Sequence, residues 1–300
     1  MVLALSVSRY VTPFSGWSEE RPQRMFRRTS GADRGTNMHR WLLNHFHTSL
    51  LMFLYVFLAV LFAYAMLRLV RRLIPTLASG EQTEIAVLSV EIIGAVYGIL
   101  LGFVIVSLWE GFNAADDNVG REATALSQIV RSAQAFDPAA RDEVTRAVGE
   151  YAHAVVDDEW ELLREGKTSE RASEGITNLY GALQRYEPKT EAQKTFYMTS
   201  VERLDDALAA RRTRLGHAEA SLGGSLHFMM YAGFVMIVGF MTAVGGGGRG
   251  RAHTFMLLGV TAIIAFNLVL ATSLDYPFSG DVSVSSEPFR TGALAPFFSP

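Results

Sequence analysis

One ionisable side chain, Glu91, lies in an apolar stretch that runs from residue 85 to residue 109. A carboxylate inside a bilayer is costly and usually faces protein or water, so Glu91 is either an ion or proton site or a structural carboxylate with a partner near the interface. Three glycines follow at four-residue intervals, a pattern that suits close helix contact within a subunit, contact between subunits, or a pore lining. The candidate pore or helix-packing residues are Glu91, Gly94, Tyr97, Gly98, Gly102 and, from a later apolar stretch, Asn267. The amide of Asn267 is expected to hydrogen-bond a neighbouring helix.

The other chemistry-bearing clusters predict neither an enzyme nor a metal or cofactor site. The chain has no Cys, which excludes thiol nucleophiles and cysteine-ligated zinc or iron–sulfur centres. It also lacks the motifs of serine hydrolases, zinc proteases, phosphate-binding loops and dinucleotide-binding folds. His39, His45 and His47 do not have metal-site spacing, and the carboxylates of 157–161 point in different directions around a helix, so both clusters are expected to be solvated. No basic stripe with aromatics is present, so no nucleic-acid partner is predicted.

Four stretches are apolar and long enough to span the hydrocarbon core of a bilayer, which takes about 20 helical residues. Charged residues make up 19% of the chain, against about 25% in ordinary soluble domains. The four stretches are 48–67, 85–109, 225–244 and 254–274, and short turns pair them as two transmembrane helical hairpins. Buried core helices of a soluble protein are the less favoured alternative, because four such lengths exceed what a soluble core of this size needs.

The segment between the hairpins is polar and predicted to be helical. Residues 110–222 hold 14 Lys/Arg and 21 Asp/Glu, so they cannot cross the membrane and must lie on the same side as both termini. Apolar residues recur at helical spacing over 119–136, 144–162 and 197–215, and Asp137-Pro138 predicts a helix stop and restart. Few breakers separate the first and last of these helices from spans two and three, so both are expected to leave the membrane as rods.

The predicted fold is an all-α integral membrane protein. Two transmembrane hairpins carry four spans, and an antiparallel helical bundle is inserted between spans two and three. The predicted divisions are a disordered or untranslated leader at 1–37, a first hairpin at 38–110, a polar helical domain at 111–222, a second hairpin at 223–276 and a C-terminal tail at 277–300.

The leader decides on which side of the membrane the helical domain is predicted to lie. Residues 1–37 hold six Arg without an apolar period, and the alternatives for the start of translation are Met1, Met25 and Met38. The two hairpin turns carry five Arg near the span ends, whereas two Arg flank the spans on the opposite side. The positive-inside rule therefore places the helical domain outside the cytoplasm if the chain starts at Met38, and the Arg of the leader reverse this if it is present.

Several short segments form a recognisable set of motifs over about residues 50–285. They are the glycine-rich second span with its Trp-Glu pair, an Arg-Glu-Ala helix, a second Glu-Trp pair, an Arg-x-Arg-Leu segment, and Leu-Asp-Tyr-Pro-Phe-Ser-Gly after the last span. Together they resemble a bacterial family of membrane proteins of unknown function that is described as bestrophin-like. The family-motif residues are Trp109, Glu110, Glu122, Glu159, Trp160, Arg212, Asp275, Pro277, Phe278 and Gly280.

This resemblance implies a location and a function. Bestrophins are pentameric anion channels with four spans per subunit, in which the second span lines the pore and continues into a helical domain. By resemblance, the chain is expected to be a homo-oligomer in the lipid bilayer of the bacterial inner membrane and a channel for small anions. Two features depart from this expectation. An ionised Glu91 would repel anions. Bestrophins keep their helical bulk in the cytoplasm, whereas a start at Met38 favours a helical domain outside it. The alternative is a non-conducting sensor or interaction protein whose helical domain binds a ligand or partner.

Overall fold

A computed structural model of the chain describes residues 40–73, 84–219, 222, 224–245 and 251–299. The leader and the central parts of both hairpin turns lie outside these residues. The helices are α1 (Thr48–Leu73), α2 (Glu84–Ala133), α3 (Pro138–Ala154), α4 (Trp160–Arg164), α5 (Glu170–Arg185), α6 (Glu191–Glu219), α7 (Gly224–Gly245) and α8 (Arg251–Leu274). A wide π-helical turn, Val155–Glu159, joins α3 to α4, and two short 3₁₀ helices, Glu287–Arg290 and Gly292–Phe297, follow α8.

Four of these helices are long and apolar enough to cross a membrane: α1, the first half of α2, α7 and α8. They pack around a small apolar core that includes Ala63, Leu101, Phe234, Val238 and Leu268. The predicted all-α fold with two transmembrane hairpins is therefore confirmed.

Only the first of the two predicted rods is continuous. Helix α2 runs for 50 residues, about 75 Å at 1.5 Å per residue, from the membrane into the bundle. By contrast, α6 ends at Glu219 and α7 begins at Gly224, with Leu222 non-helical between them. The N–H of Leu222 donates to Asp275 Oδ1 at 2.6 Å. Its hydrogen-bond partner is therefore a side chain of the segment after the last span, and not a helical backbone carbonyl.

The bundle packs α2 against α6 and α3 against α5. The predicted apolar stripe of α2, which includes Val119, Leu126 and Ala133, is buried in the main core. Helix α3 starts at Pro138 after Asp137, as predicted. In α6 the predicted apolar stripe over 197–215 faces the same core, with Leu204 buried and Tyr197, Leu208 and Leu215 partly buried against it. The buried positions of α6 are Ser200, Leu204, Ala207, Ala210, Arg214 and Ala218.

The C-terminal tail is part of the bundle core. Phe278, Val284, Phe289 and Leu294 all lie in the same buried cluster as the helices of the bundle. The ring of Phe297 lies against Gly149 of α3, where an added Cβ would come within 2.9 Å of it. The polar helical domain therefore includes chain that follows the last span.

Candidate functional site

A groove in the membrane half of the protein brings together the six residues predicted to line a pore or a helix contact. We call it the membrane groove. It has a volume of about 420 Å³ and lies between α2, α7 and α8. Its lining residues include Glu91, Gly94, Tyr97, Gly98 and Gly102 of α2 and Asn267 of α8, with apolar side chains such as Ile237, Met241 and Ile263 completing the walls. The role of these six residues stays a prediction.

Among the described residues, Gly94, Gly98 and Gly102 of α2 make no close contact with another helix. A Cβ added at any of the three would meet no described atom beyond the adjoining part of its own helix within 4 Å. The close approach of α2 to α7 occurs instead at Tyr97, whose ring lies where a Cβ of Gly233 would be. The Tyr97 hydroxyl donates to the carbonyl of Met230 at 2.7 Å, which anchors it to α7. The glycine face of α2 is therefore open to whatever lies beyond the single chain.

Asn267 and Glu91, two polar residues of the membrane groove, differ in whether their side chains have a hydrogen-bond partner. Asn267 donates to the carbonyl of Ile263 at 2.9 Å, so it bonds its own helix and not the neighbouring helix that the sequence predicts. Glu91 is exposed, and no hydrogen bond or ion pair joins it to another described residue. Of the residues that line the groove, it is the one carboxylate. Within the described part of the chain, Glu91 therefore lacks the partner that a purely structural carboxylate would need.

Beyond the membrane half, α2 is tied to the bundle by a network of four buried polar side chains and a fifth that is partly buried. We call Glu122, Tyr151, Glu159, Arg211 and Arg214 the buried charge network. Arg214 Nε donates to Glu122 Oε2 at 2.8 Å, and its Nη2 donates to Glu122 Oε1 at 3.1 Å and to Glu159 Oε2 at 2.8 Å. All three of these charged side chains are fully buried.

Two further residues complete the network. The hydroxyl of Tyr151 donates to Glu122 Oε1 at 2.6 Å, and Arg211 Nη2 donates to Glu159 Oε1 at 2.6 Å. The two carboxylates are thereby matched by two guanidinium groups, which offsets the cost of burying them. Because Glu122 is on α2 and both Arg are on α6, the network fixes the membrane helix to the bundle.

The network shifts the pKa values of Arg214 and Tyr151. Burial alone would lower the pKa of the Arg214 guanidinium, but the charge and hydrogen bonds of Glu122, with smaller contributions from Tyr151 and Glu159, raise it above its ordinary value. Burial, and then the negative charge of Glu122, raise the pKa of the Tyr151 hydroxyl well above 10. Arg214 is therefore charged and Tyr151 protonated at every physiological pH.

The segment after the last span joins the bundle to the membrane helices. Asp275 accepts the N–H of Leu222 at the junction of α6 and α7. Pro277 is buried, and Phe278 meets the Trp160 ring edge-on, with the ring centroids 5.8 Å apart. Gly280 has a φ of 80°, a conformation that favours glycine, and its N–H donates to the side chain of Asn44.

The chain resembles known proteins in both sequence and fold. The family model described as the bestrophin-like domain matches residues 57–289, which is most of the chain. The chain belongs to the bestrophin-like family. Solved structures of point variants of a bacterial bestrophin homologue from Klebsiella pneumoniae share its fold. One has a TM-score of 0.65 at 14% identity and covers 83% of this chain and 99% of its own. Another has a TM-score of 0.65 at 13% identity and covers 85% and 98%. No curated protein matches the chain in sequence.

This bestrophin-like protein is accordingly a multi-pass membrane protein, and its motif residues fall into two groups. Glu122, Glu159, Trp160 and the four residues after the last span are buried or packed in the contacts described above. The Trp109-Glu110 pair is exposed, and Trp109 stacks on Phe112 with ring centroids 6.1 Å apart. That pair therefore lies outside the buried charge network.

Of the two Arg in the Arg-x-Arg-Leu segment, Arg214 is the buried one, and the role of Arg212 stays a prediction. Arg212 is exposed, whereas Arg214 occupies the next buried position, four residues after Ala210. The small-residue stripe of α6 was the signal that could have identified it. The acidic run at 157–161 is also only partly solvated, because Asp157 and Glu161 are exposed while Glu159 is buried. Among the described residues, no group of three or more His, Asp or Glu could hold a metal ion.

Proposed function

We propose that this bestrophin-like protein is a homo-oligomeric channel for small anions in the bacterial inner membrane, with the glycine face of α2 lining the conduction path. The observation that carries the proposal is the open face of α2: a Cβ added at Gly94, Gly98 or Gly102, which are four residues apart, would meet no atom of another described helix within 4 Å. A path along this face needs several copies of α2, because one helix cannot enclose it.

The length of α2 supports a path that continues beyond the bilayer. The same helix extends into the bundle, where the buried charge network holds it against α6. An opening along the glycine face is thus mechanically connected to the domain outside the membrane. Small residues at this face leave room for an ion and its hydration shell, which bulkier side chains would fill.

The test is ion flux through liposomes that contain the purified full chain. Anion flux is expected to exceed sodium and potassium flux, and Gly98→Leu is expected to reduce it strongly, because the added side chain enters the path. Gly239→Leu is the matched control, since Gly239 of α7 also has open space around it but does not line the membrane groove. Absence of flux with every common anion and cation would contradict the proposal and favour the non-conducting sensor.

Glu91 supplies a second test of the same path. An ionised carboxylate there repels anions, so removing its charge is expected to raise anion flux. Glu91→Gln is therefore expected to give higher anion flux than the parent chain at neutral pH. If Glu91→Gln instead abolished cation flux and left anion flux unchanged, the path would belong to cations.

We also propose that the helical domain lies outside the cytoplasm, as the count of Lys/Arg from Met38 favours. The chain has no Cys, so single cysteines report orientation without background. Leu73 at the end of α1 and Met198 in the bundle are uncharged and 67% and 63% exposed, so replacing them leaves the charge balance unchanged. In intact cells, a membrane-impermeant thiol reagent is expected to label Met198→Cys and not Leu73→Cys. The reverse pattern would place the bundle inside.

A further inference from the structure

A polar pocket lies where the bundle meets the first span. It has a volume of about 620 Å³, within the usual range of small-ligand sites. We call it the junction pocket, and its lining residues are Arg40, Trp41, Asn44, His45, Glu161, Arg164, Glu165 and Lys167. It is separate from the membrane groove and shares no residue with it.

The junction pocket adjoins the start of the first span. Residues 40–45 form a helical turn just before α1 enters the membrane. Trp41 is 53% exposed and stacks on His45 with ring centroids 4.6 Å apart. An exposed Trp next to a span end is typical of the membrane–water interface, where its ring lies among the headgroups.

The walls of the junction pocket are fixed by the protein. Asn44 Nδ2 donates to the carbonyl of Arg164 at 2.9 Å, and its Oδ1 accepts the N–H of Gly280. Arg40 Nη2 donates to the carbonyl of Ala218 at 2.5 Å. The guanidinium of Arg40 lies against Gly166, whose φ of 71° and lack of a side chain make room for it. The pocket therefore exists before any ligand arrives.

Charges of both signs surround this space. Lys167 Nζ lies 2.6 Å from Glu165 Oε2, and Arg164 Nη1 lies 3.7 Å from Glu161 Oε2. These four side chains are between 39% and 78% exposed, so their mutual ion pairs contribute little and can be exchanged for pairs with a ligand. With the buried Arg40, the pocket offers three cations and two carboxylates.

We infer that the junction pocket binds the headgroup of an amino-phospholipid of the phosphatidylethanolamine type. Its phosphate would accept hydrogen bonds from Arg164 and Lys167, and its primary ammonium would donate to Glu161 and Glu165. An anionic headgroup without an amine would leave both carboxylates facing a like charge. A choline headgroup carries a cation that has no N–H to donate to them.

Native mass spectrometry of the full chain in detergent tests this inference. Short-chain phosphatidylethanolamine, phosphatidylcholine and phosphatidylglycerol are added at equal concentrations, and the bound fraction of each gives its affinity. Phosphatidylethanolamine is expected to bind about tenfold more tightly than the other two, the equivalent of one charge-assisted hydrogen bond. Equal binding of all three lipids, or tighter binding of phosphatidylglycerol, would overturn the inference.

Paired variants locate the preference. The double variant Glu161→Gln and Glu165→Gln is expected to lose the preference for phosphatidylethanolamine and to gain affinity for phosphatidylglycerol. The control, Glu174→Gln and Glu187→Gln, makes the same change of net charge at two exposed bundle positions outside the pocket and is expected to keep the preference. A preference that survived in the Glu161/Glu165 variant would refute the assignment. Lys167→Gln is expected to weaken the binding of all three lipids. Unchanged affinities would show that Lys167 does not bind the lipid phosphate and would contradict the assignment. None of these measurements depends on ion conduction.

Discussion

At the residue scale, Arg214 shows how a buried charge can organise a helical domain. Its guanidinium is fully buried and spans the carboxylates of Glu122 on α2 and Glu159 in the π-helical turn. The Trp160 ring covers it from one side, with the guanidinium carbon 5.6 Å from the ring centroid. Replacing such a group is costly because its partners stay buried with uncompensated charge.

The first prediction follows from this arrangement. Arg214→Met keeps the length of the side chain but leaves Glu122 without its cationic partner and one oxygen of Glu159 without its hydrogen bond. It is expected to lower the free energy of unfolding by about 3–5 kcal/mol. Thermal unfolding of the purified protein in detergent measures this as a lower Tm. The exposed Arg212→Met should change Tm little, and equal effects of the two variants would contradict the network.

The raised pKa of Tyr151 gives a pH-dependent prediction. Because the folded state holds the Tyr151 proton more tightly than the unfolded state, this contribution to stability is fully present below about pH 10 and is lost as the pH rises further. Tm is therefore expected to fall less steeply above pH 10 in Tyr151→Phe than in the parent chain. Tyr180→Phe, at a position that is 43% exposed, is the control and should follow the parent. Parallel curves for all three proteins would contradict the assignment.

At the element scale, the π-helical turn explains one place where the sequence pattern fails. The stripe of α3 is buried as predicted through Val148, Tyr151 and Val155. The predicted stripe over 144–162 ends at Leu162, but after the turn Val155–Glu159 the fully buried leucine is Leu163. The wider turn shifts the helical phase by about one residue, and the same turn directs Glu159 inward. A pattern built on 3.6 residues per turn cannot anticipate such a shift.

The elements that could be predicted are those set by local sequence. The four spans, the buried stripe of α2 and the restart at Pro138 depend on runs of neighbouring residues. The contacts that could not be predicted join distant segments, such as Glu122 with Arg214, which are 92 residues apart. The membrane groove is intermediate: its residues were predicted from glycine spacing and polarity, whereas the open glycine face depends on how α7 and α8 pack.

The packed C-terminal tail supports a prediction about elements. Leu294 lies in the short 3₁₀ helix Gly292–Phe297 and is fully buried against the bundle. Leu294→Ala is expected to cost about 2–4 kcal/mol, as other buried leucines do, and to lower Tm. Val282→Ala is the control, because Val282 is in the same tail but 51% exposed. If the two variants unfolded at the same temperature, the tail would not contribute to the core of the bundle.

At the scale of the whole molecule, the membrane half and the bundle differ in how far a single chain completes their packing. The membrane half buries few of its apolar side chains, as expected where lipid or another subunit surrounds it. The bundle, by contrast, has a closed core of its own. An assembly built around α2 would therefore form by contacts between rigid subunits and would not need the bundle to rearrange.

The proposed assembly makes a prediction about distance between subunits. If α2 surrounds a central path, the Gly98 positions of neighbouring copies face one another, whereas the Gly239 positions on α7 do not. Because the native chain has no Cys, Gly98→Cys is expected to yield covalent dimers when a short bifunctional thiol reagent is added to the membrane. Gly239→Cys should stay monomeric on a denaturing gel under the same conditions. The reverse result would place α7, and not α2, at the centre, and no cross-linking at either position would argue against an assembly around this face.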